Sequence, residues 1–525
     1  MENINNINNT NNNAFASDGN IIKNSPESIK KYSFSKKETA MAFVAIALGF
    51  GFIKLTAAPF WTDSRMGLGT TMFLLGILIF SIIYPEKCSK FTLKRCFRIA
   101  LCIAFSVNVF ISSNLLIQFL DTVFVLLIIA YDSLAVSGGR FEKIRRMLPA
   151  DMFSALVILP FHDYGSCHNA VKSAAGNSKA GSGVKNALLG LAIAIPSTVV
   201  VCGLLMSADL GFADIVMSFL GNGFTRSFVF VFQLIISLPV GYYIYGLCRS
   251  SDKKYAEEQI NDDRCLNTVR SVRFLPSAAG FFSALPVCVL YMIFFFSQLT
   301  YYMSSFFSKL PSDMDSYSSY ARRGFFELCF VSLINLAIII CLNLFCKYRE
   351  DGKRPASLKI ITCILSIFTI LLIATAVSKM AMYINVYGLT PLRVYTTWFM
   401  ILLAVVFAGI FLTMLSSKIN LPKITVTAFT ILFSLLSFCN ADGLIAKYNA
   451  DRFLNGTLNA FDVSMISELS TDAIPEAVRV REHLSKDEQK RLDKIIANKL
   501  DAAHESDARS LTVSEIIADN INKNR

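Results

Sequence analysis

The sequence predicts an all-α fold: a polytopic transmembrane helix bundle of about eleven spans, N-terminus inside and C-terminus outside, followed by a small C-terminal helical module. Three observations carry this. Of the 525 residues, 54% are hydrophobic and only 17% charged, with a mean hydropathy of +0.51, whereas soluble domains carry roughly 25% charged residues. The apolar excess is cut into runs of about 20 residues, the length at which a helix crosses a hydrocarbon core of roughly 30 Å. The basic residues crowd alternate connections between those runs. Lipid gives the backbone no hydrogen-bond partner, which favours helices, and a β-barrel would show shorter alternating segments.

Residues 1–38 open with MENINNINNTNNNAFASDGN, polar and Asn-rich. They lack the charged start, short apolar stretch and small-residue cleavage site of an export signal. They read as a disordered cytoplasmic tail, so the first span is expected to direct insertion as well. The transmembrane domain, 39–442, is expected to hold spans at 40–60, 67–84, 99–112, 119–137, 187–207, 227–248, 278–300, 324–346, 360–384, 394–415 and 424–441. The third is short, and its outer turn through Ser112, Ser113 and Asn114 is tight.

Lys and Arg are retained on the cytoplasmic side. With the N-terminus inside, the inner segments hold 30 basic residues and the outer loops only Arg65, Arg226, Lys309, Arg322, Arg323 and Arg393. An odd number of spans then places 443–525 outside. The net charge of +12 therefore sets topology and meets anionic lipid; the partner it implies is the lipid bilayer, and nucleic acid is excluded. All 13 cysteines fall in spans or inner loops and no CxxC occurs, so they read as small apolar fillers, with neither a zinc site nor a disulfide framework.

The inner loop 138–186 starts GGRFEKIRRMLP and contains an apolar stretch from Phe153 to Phe161. That stretch is too short to span and is expected to lie along the inner surface. The following NSKAGSGVKN lacks GxxxxGK[ST] and reads as a flexible linker. The tail, 443–525, is nearly neutral. Leu484, Leu492, Ile495, Ile496 and Leu500 fall at helical spacing, Ser485 with Glu488 forms a capping-box pattern, and Thr471-Asp472 before Pro475 suits another helix start. This predicts an extracytoplasmic helical module resting on the membrane domain; its roughly eighty residues could fold alone only marginally.

Chemistry is sparse. HExxH, GxSxG, Walker A, GxGxxG, CxxCH and kinase motifs are all absent, and no catalytic residue, cofactor or metal is assigned. His162-Asp163 with His168 matches no metal spacing and reads as ordinary loop histidines. Polar groups at membrane depth are the remaining lead, because they are costly in lipid. One set gathers at the outer ends of spans eight to ten: Tyr320, Arg322, Arg323, Glu327, Lys379, Tyr383, Tyr387 and Arg393. Arg323 and Glu327 are one helical turn apart, as are Lys379, Tyr383 and Tyr387 in succession. Gly388 permits a backbone angle other residues resist, and Pro391 suits a helix start. The functional reading is an outward site for an anionic or lipid-like ligand; the structural reading is Tyr at headgroup level with snorkelling cations. A deeper scatter, Asn108, Asp121, Asp132, Gln233, Asn335 and Asn343, reads either as a proton or ion path or as helix–helix hydrogen bonding.

The stretches YARRGFFELCFVSLINL (320–336), YINVYGLTPLRVY (383–395), NADGLIAKYNADRFL (440–454) and LSTDAIPEA (469–477) resemble a family of uncharacterised bacterial membrane proteins, domain of unknown function 4173, related to 4153. The resemblance runs from the first span to about residue 480. It implies a polytopic protein of a Gram-positive cytoplasmic membrane and brings no substrate, cofactor or catalytic residue. Three functions fit the sequence, in this order: a transporter or permease, a cell-envelope sensor or regulator, and a membrane enzyme on lipid or cell-wall intermediates. Against the first stands the lack of paired broken helices or an inverted repeat.

Overall fold

The computed structural model describes residues 34–55, 66–85, 92–138, 141, 143–174, 194, 198, 200–219, 222–255, 262–297, 325–349, 351–504 and 508–523. Among them every regular element is helical, apart from an isolated bridge between Leu275 and Cys346. Seven helices are long and apolar enough to cross a bilayer, and Leu68–Ile83 is a shorter apolar one. The chain is thus a membrane protein built of helices. The Asn-rich tail, the Gly-rich linker and most of the span expected at 187–207 lie outside the described residues.

The first bundle contains α1 (Lys36–Leu55), α2 (Leu68–Ile83), α3 (Leu93–Ile111), α4 (Leu115–Ser137), α5 (Tyr164–Ala174) and α6 (Asn222–Asp252). The first four cross antiparallel. Lys37 near the start of α1 donates to Pro85 O just past α2 (3.4 Å), Thr71 Oγ1 donates to Ser106 O across α2 and α3 (2.8 Å), and Arg98 near the start of α3 bonds Asp132 near the end of α4. Helix α6 runs antiparallel to α1, with Arg249 at its end on Glu38 and Phe230 near its start against Phe50. Glycines set that crossing: a Cβ on Gly241 would lie 2.8 Å from Ile46 Cα and 2.9 Å from Ala45 O. Membrane helices gain by such close backbone approach, because lipid supplies no hydrophobic drive between them.

Helix ends follow local chemistry. The third span was expected at 99–112, but α3 starts six residues earlier, capped by Thr92 Oγ1, which accepts from Arg95 N at 3.4 Å. Two of the three basic residues in its first two turns, Arg95 and Arg98, are neutralised by Asp132 of α4. Helix α4 likewise starts at Leu115 rather than 119, capped by Asn114 Oδ1, which accepts from Ile117 N at 3.0 Å. The Phe153–Phe161 stretch is helical with one π turn, Ser154–Ile158. It packs Ala155 and Leu159 against α4 and α6 while Phe153 and Phe161 stay exposed, and Tyr243 Oη donates to Leu156 O at 2.8 Å.

The second bundle contains α7 (Ser277–Ser297), α8 (Phe325–Phe345), α9 (Ala356–Tyr387) and α10 (Pro391–Leu415), with Leu358, Ile361, Leu365, Met400, Leu403 and Phe407 in its core. At 32 residues, α9 is about 48 Å long, well over the hydrocarbon thickness. Helix α11 (Leu421–Phe438) runs back along α10 and joins the bundles: Trp398 Nε1 donates to Leu432 O at 2.8 Å, while Phe433 stacks on Phe105 with centroids 5.4 Å apart.

The C-terminal module holds α12 (Ala441–Leu454), α13 (Ile474–Val480), α14 (Lys486–His504) and α15 (Val513–Lys523). Its core joins Ile445, Ala446, Ile466, Ile474 and Ala477 to Leu492, Ile496 and Leu500. The capping box forms: Ser485 N donates to Glu488 Oε2 at 3.0 Å and Glu488 N to Ser485 Oγ at 3.4 Å. The module sits at the end of the bundle where α3 meets α4 and α9 meets α10. Ser514 Oγ donates to Ile111 O at 2.8 Å, and Gly69 N donates to Arg509 O at 2.7 Å.

Candidate functional site

Three of the eight predicted cluster residues, Tyr320, Arg322 and Arg323, lie outside the described residues. Glu327 is exposed on the first turn of α8, within electrostatic reach of Lys379, which is only 8% exposed on α9. The stripe expected from the four-residue spacing forms. The Tyr383 and Tyr387 rings meet edge-on with centroids 5.0 Å apart, and the Arg393 guanidinium lies 4.1 Å from the Tyr383 centroid. Arg393 also donates to Tyr387 O at 3.2 Å and to Gly388 O. It therefore caps the carbonyl end of α9, where a cation also meets the helix dipole. The structure brings Tyr383, Tyr387 and Arg393 together, with Arg393 held in structural work, and Lys379 lies one turn before Tyr383 on α9.

The turn that Arg393 caps is clasped from the module. Asn449 on α12 accepts from Leu389 N through Oδ1 and donates to Leu389 O through Nδ2, both at 2.8 Å. Gly388 has φ +77° and ψ −172°, and a Cβ there would lie 3.0 Å from Asn449 Cγ and closer still to its Oδ1. The glycine is needed twice, for its backbone angle and for the room Asn449 takes. Thr390 Oγ1 then accepts from Arg393 N at 3.5 Å to start α10.

Beside the clasp lies a polar seam not singled out from the sequence. Asp442, 2% exposed at the start of α12, is its centre. Its Oδ2 accepts from Asn114 Nδ2 in the α3–α4 turn and from Ser470 N in the module, each at 2.8 Å. Asn114 Nδ2 also donates to Tyr395 Oη on α10 at 2.8 Å. Next to it Ser113 Oγ and Thr471 Oγ1 share a hydrogen at 2.6 Å, Thr471 N donates to Ser113 Oγ at 3.2 Å, and Ser514 Oγ donates to Asp472. Burial raises the Asp442 pKa above the ordinary carboxylate range and the Asp472 charge adds to this, while the bonds from Ser470 and Asn114 oppose it. Its buried Oδ1 finds no hydrogen-bond partner among the described residues. Asp442 follows Asn440-Ala441, so from sequence it passes for a helix-capping acid; Asn114 is 328 positions away, and nothing local announces the pairing.

Of the six deeper polar residues four bond between helices; Asn343 Nδ2 instead donates to Ile339 O on its own helix at 2.8 Å, and Gln233 Oε1 is buried with no hydrogen-bond partner among the described residues. Asp121, fully buried on α4, accepts from Asn108 Nδ2 of α3 at 2.8 Å and from Ser437 Oγ of α11 at 2.7 Å. Asp132 is held by Arg98 at 2.6 Å and Arg95 at 3.2 Å. Asn335 joins α7 and α9, accepting from Tyr291 Oη at 2.6 Å and donating to Thr369 Oγ1 at 2.8 Å. These contacts match helix–helix hydrogen bonding. His162 stacks on Tyr255 with centroids 3.4 Å apart and lies 3.7 Å from Asp163, while His168 is exposed. Among the described residues no group of three or more His, Cys, Asp or Glu is placed to hold a metal.

Comparison with curated proteins and with solved structures gives no match. Residues 99–480 match a family described as a domain of unknown function, DUF4153. The matched stretch begins in α3, so α1 and α2 lie outside it, although the motif resemblance placed its start at the first span. It contains both sides of the seam and of the Asn449 clasp. With well over half its length matched, the chain belongs to the DUF4153 family.

Proposed function

We propose that this DUF4153 chain is an eleven-span protein of the bacterial cytoplasmic membrane, N-terminus inside and residues 443–525 outside, that works as a sensor or regulator of the cell envelope. The observation that carries this is Asp442. A buried carboxylate, shared between a membrane turn at Asn114 and the module backbone at Ser470, ties the state of the module to the positions of α3, α4 and α10. The span count draws support from helix direction. Helices α4 and α6 run the same way, as the count requires if the span expected at 187–207 crosses between them. The affinity with family 4173 rests on the four quoted motifs.

In cells, Asn114→Ala/Asp442→Ala is expected to reproduce the phenotype of gene deletion while the protein still reaches the membrane. Protease added to intact cells should release the module from this variant faster than from the parent. A variant whose module is freed but whose cells match the parent overturns the sensor reading. A reporter fused after residue 450 should read as external, and an internal reading overturns the topology.

One observation favours a second reading, a transporter or permease for an anionic or lipid-like ligand. Lys379 is buried within α9 with Glu327 in electrostatic reach, and an ionisable group at membrane depth commonly marks a substrate path. Substrate-dependent flux in proteoliposomes, lost in Lys379→Met, would decide for it.

A further inference from the structure

At the end of the second bundle opposite the seam, two arginines converge on one tyrosine. The Arg273 guanidinium lies over the Tyr348 ring, its Cζ 3.6 Å from the centroid. Arg354 Nε donates to Tyr348 Oη at 3.1 Å. The backbone explains the meeting. Leu275 N donates to Phe345 O at 3.0 Å and Lys347 N to Leu275 O at 2.8 Å, so the strip entering α7 lies beside the strip leaving α8. A turn then folds the chain back: Gly352 N donates to Arg349 O at 2.9 Å, Arg349 N to Lys353 O at 3.1 Å, and Gly352 takes φ +72°. This returns Arg354 to the ring that Arg273 already covers.

The charge around this ring is one-sided. The two strips carry Arg270, Arg273, Lys347, Arg349, Lys353 and Arg354 against Glu350 and Asp351. Asp351 is engaged elsewhere, accepting from Lys353 N at 3.0 Å and pairing with Lys353 Nζ at 3.6 Å. Neither Arg273 nor Arg354 meets a carboxylate among the described residues. The other contact of Arg354 is a soft one, NH1 to Met414 Sδ at 3.5 Å, and Arg273 Nε is buried without a hydrogen-bond partner among the described residues. Three other arginines at this end of the molecule are neutralised: Arg98 by Asp132, Arg145 by Asp151, Arg249 by Glu38. A guanidinium set over a ring leaves N–H donors of its fork for paired acceptor oxygens, the geometry that suits phosphate.

We propose that Arg273 and Arg354, preset on Tyr348, form a binding site for a phosphate group at this end of the bundle, either a phospholipid headgroup or free phosphate. Lys347 and Lys353, both exposed, add general attraction and no specificity. The site is separate from the seam and does not depend on the sensor reading.

The test uses the full chain purified in a neutral detergent, titrated with dioleoylphosphatidylglycerol, with dioleoylphosphatidylcholine and with inorganic phosphate, bound lipid being counted by native mass spectrometry. Saturable phosphatidylglycerol binding is expected, weakened about tenfold or more in Arg273→Gln/Arg354→Gln, as loss of charge-assisted bonds implies. Lys347→Gln/Lys353→Gln removes the same charge and should change binding less than about twofold, since exposed charges contribute little. Equal losses in the two double variants, or none in the first, overturn the site. Tyr348→Leu keeps every cation and removes the platform, so it too should weaken binding; parent-like binding there overturns the site even where the arginine variant fails to fold. Displacement of phosphatidylglycerol by millimolar inorganic phosphate would mark free phosphate as the ligand, and indifference to it would mark the lipid headgroup.

Discussion

Replacing Gly388 by alanine loads two costs onto one methyl group. With φ +77° and ψ −172°, the residue occupies backbone space that an L side chain enters at about 1–3 kcal/mol. The new Cβ would also fall 3.0 Å from Asn449 Cγ and closer to its Oδ1, so the amide must move. Moving it breaks the two 2.8 Å bonds to Leu389, each contributing about 1 kcal/mol, and leaves a 4%-exposed amide with only its weak contact to Met465 Sδ. The expected loss is about 3–5 kcal/mol, summed from strain and broken bonds. Asn449→Ala alone should lose only the bonds, about 2 kcal/mol. In Gly388→Ala/Asn449→Ala the methyl no longer meets the amide, so the double variant should cost less than the sum by about the bond term. Thermal unfolding of the purified protein in detergent, read alongside protease release of the module, gives all three values. A Gly388→Ala protein as stable as the parent, or strict additivity in the cycle, would refute the clasp.

Three further perturbations test other parts of the argument. Because the Asp442 pKa is raised in the fold, the native state binds more protons than the unfolded one between the ordinary carboxylate range and the raised value, so stability falls as pH rises through that window and levels off above it. Module release by protease should therefore slow on mild acidification in the parent and show no such change in Asp442→Asn. The groups facing Asp442 are Asp472, Asn114, Tyr395 and Ser470, and tighter docking with rising pH would contradict the account. Asp132→Ala strips the carboxylate from Arg98 and from Arg95, itself 3% exposed, and should cost about 3–5 kcal/mol. The exposed Asp351→Ala should stay within about 0.5 kcal/mol, and equal melting of the two variants would count against the buried triad. Gly241→Leu forces α1 and α6 apart and should abolish the folded protein, whereas Gly51→Leu, which meets only Leu55 Cδ1 at 3.9 Å, should express and melt like the parent.

Periodicity and charge made the helices and their order legible, because both depend on the identity of residues close in the chain. The tail helix over Leu484–Leu500 and its Ser485/Glu488 cap were readable for the same reason. Helix α3 was misplaced at its start because hydropathy penalises Lys94, Arg95 and Arg98, while the acid that neutralises two of them lies in the next helix. Arg393 was readable as a cation near two tyrosines; its use as a cap for Gly388 O depended on the path of the turn. Asp442 was the hardest, since its meaning comes from Asn114 and Ser470, which no local pattern connects to it. In each case the missed information is a side-chain pairing between elements distant in sequence.

The motifs that resemble a family are largely consumed in one junction, and this sets where the junction gets its strength. Gly388, Leu389, Arg393 and Tyr395 from 383–395, Asp442 and Asn449 from 440–454, and Ser470, Thr471 and Asp472 from 469–477 all take part in the junction of module and bundle. All of them lie within 99–480. The module's core does not: Ile445, Ala446 and Ile474 pack with Leu492, Ile496 and Leu500, which lie beyond the matched stretch. Burying each of those three large side chains stabilises by about 1.5–3 kcal/mol, and together they are comparable with the whole stability of a small domain, about 5 kcal/mol at its lower end. A chain ended after Val480 keeps every seam residue except Ser514 yet loses that packing, so its module should be cut by protease as fast as in Asn114→Ala/Asp442→Ala. If the truncated chain instead resists protease like the parent, the polar seam alone holds residues 441–480 in place, and α14 and α15 serve some purpose other than support.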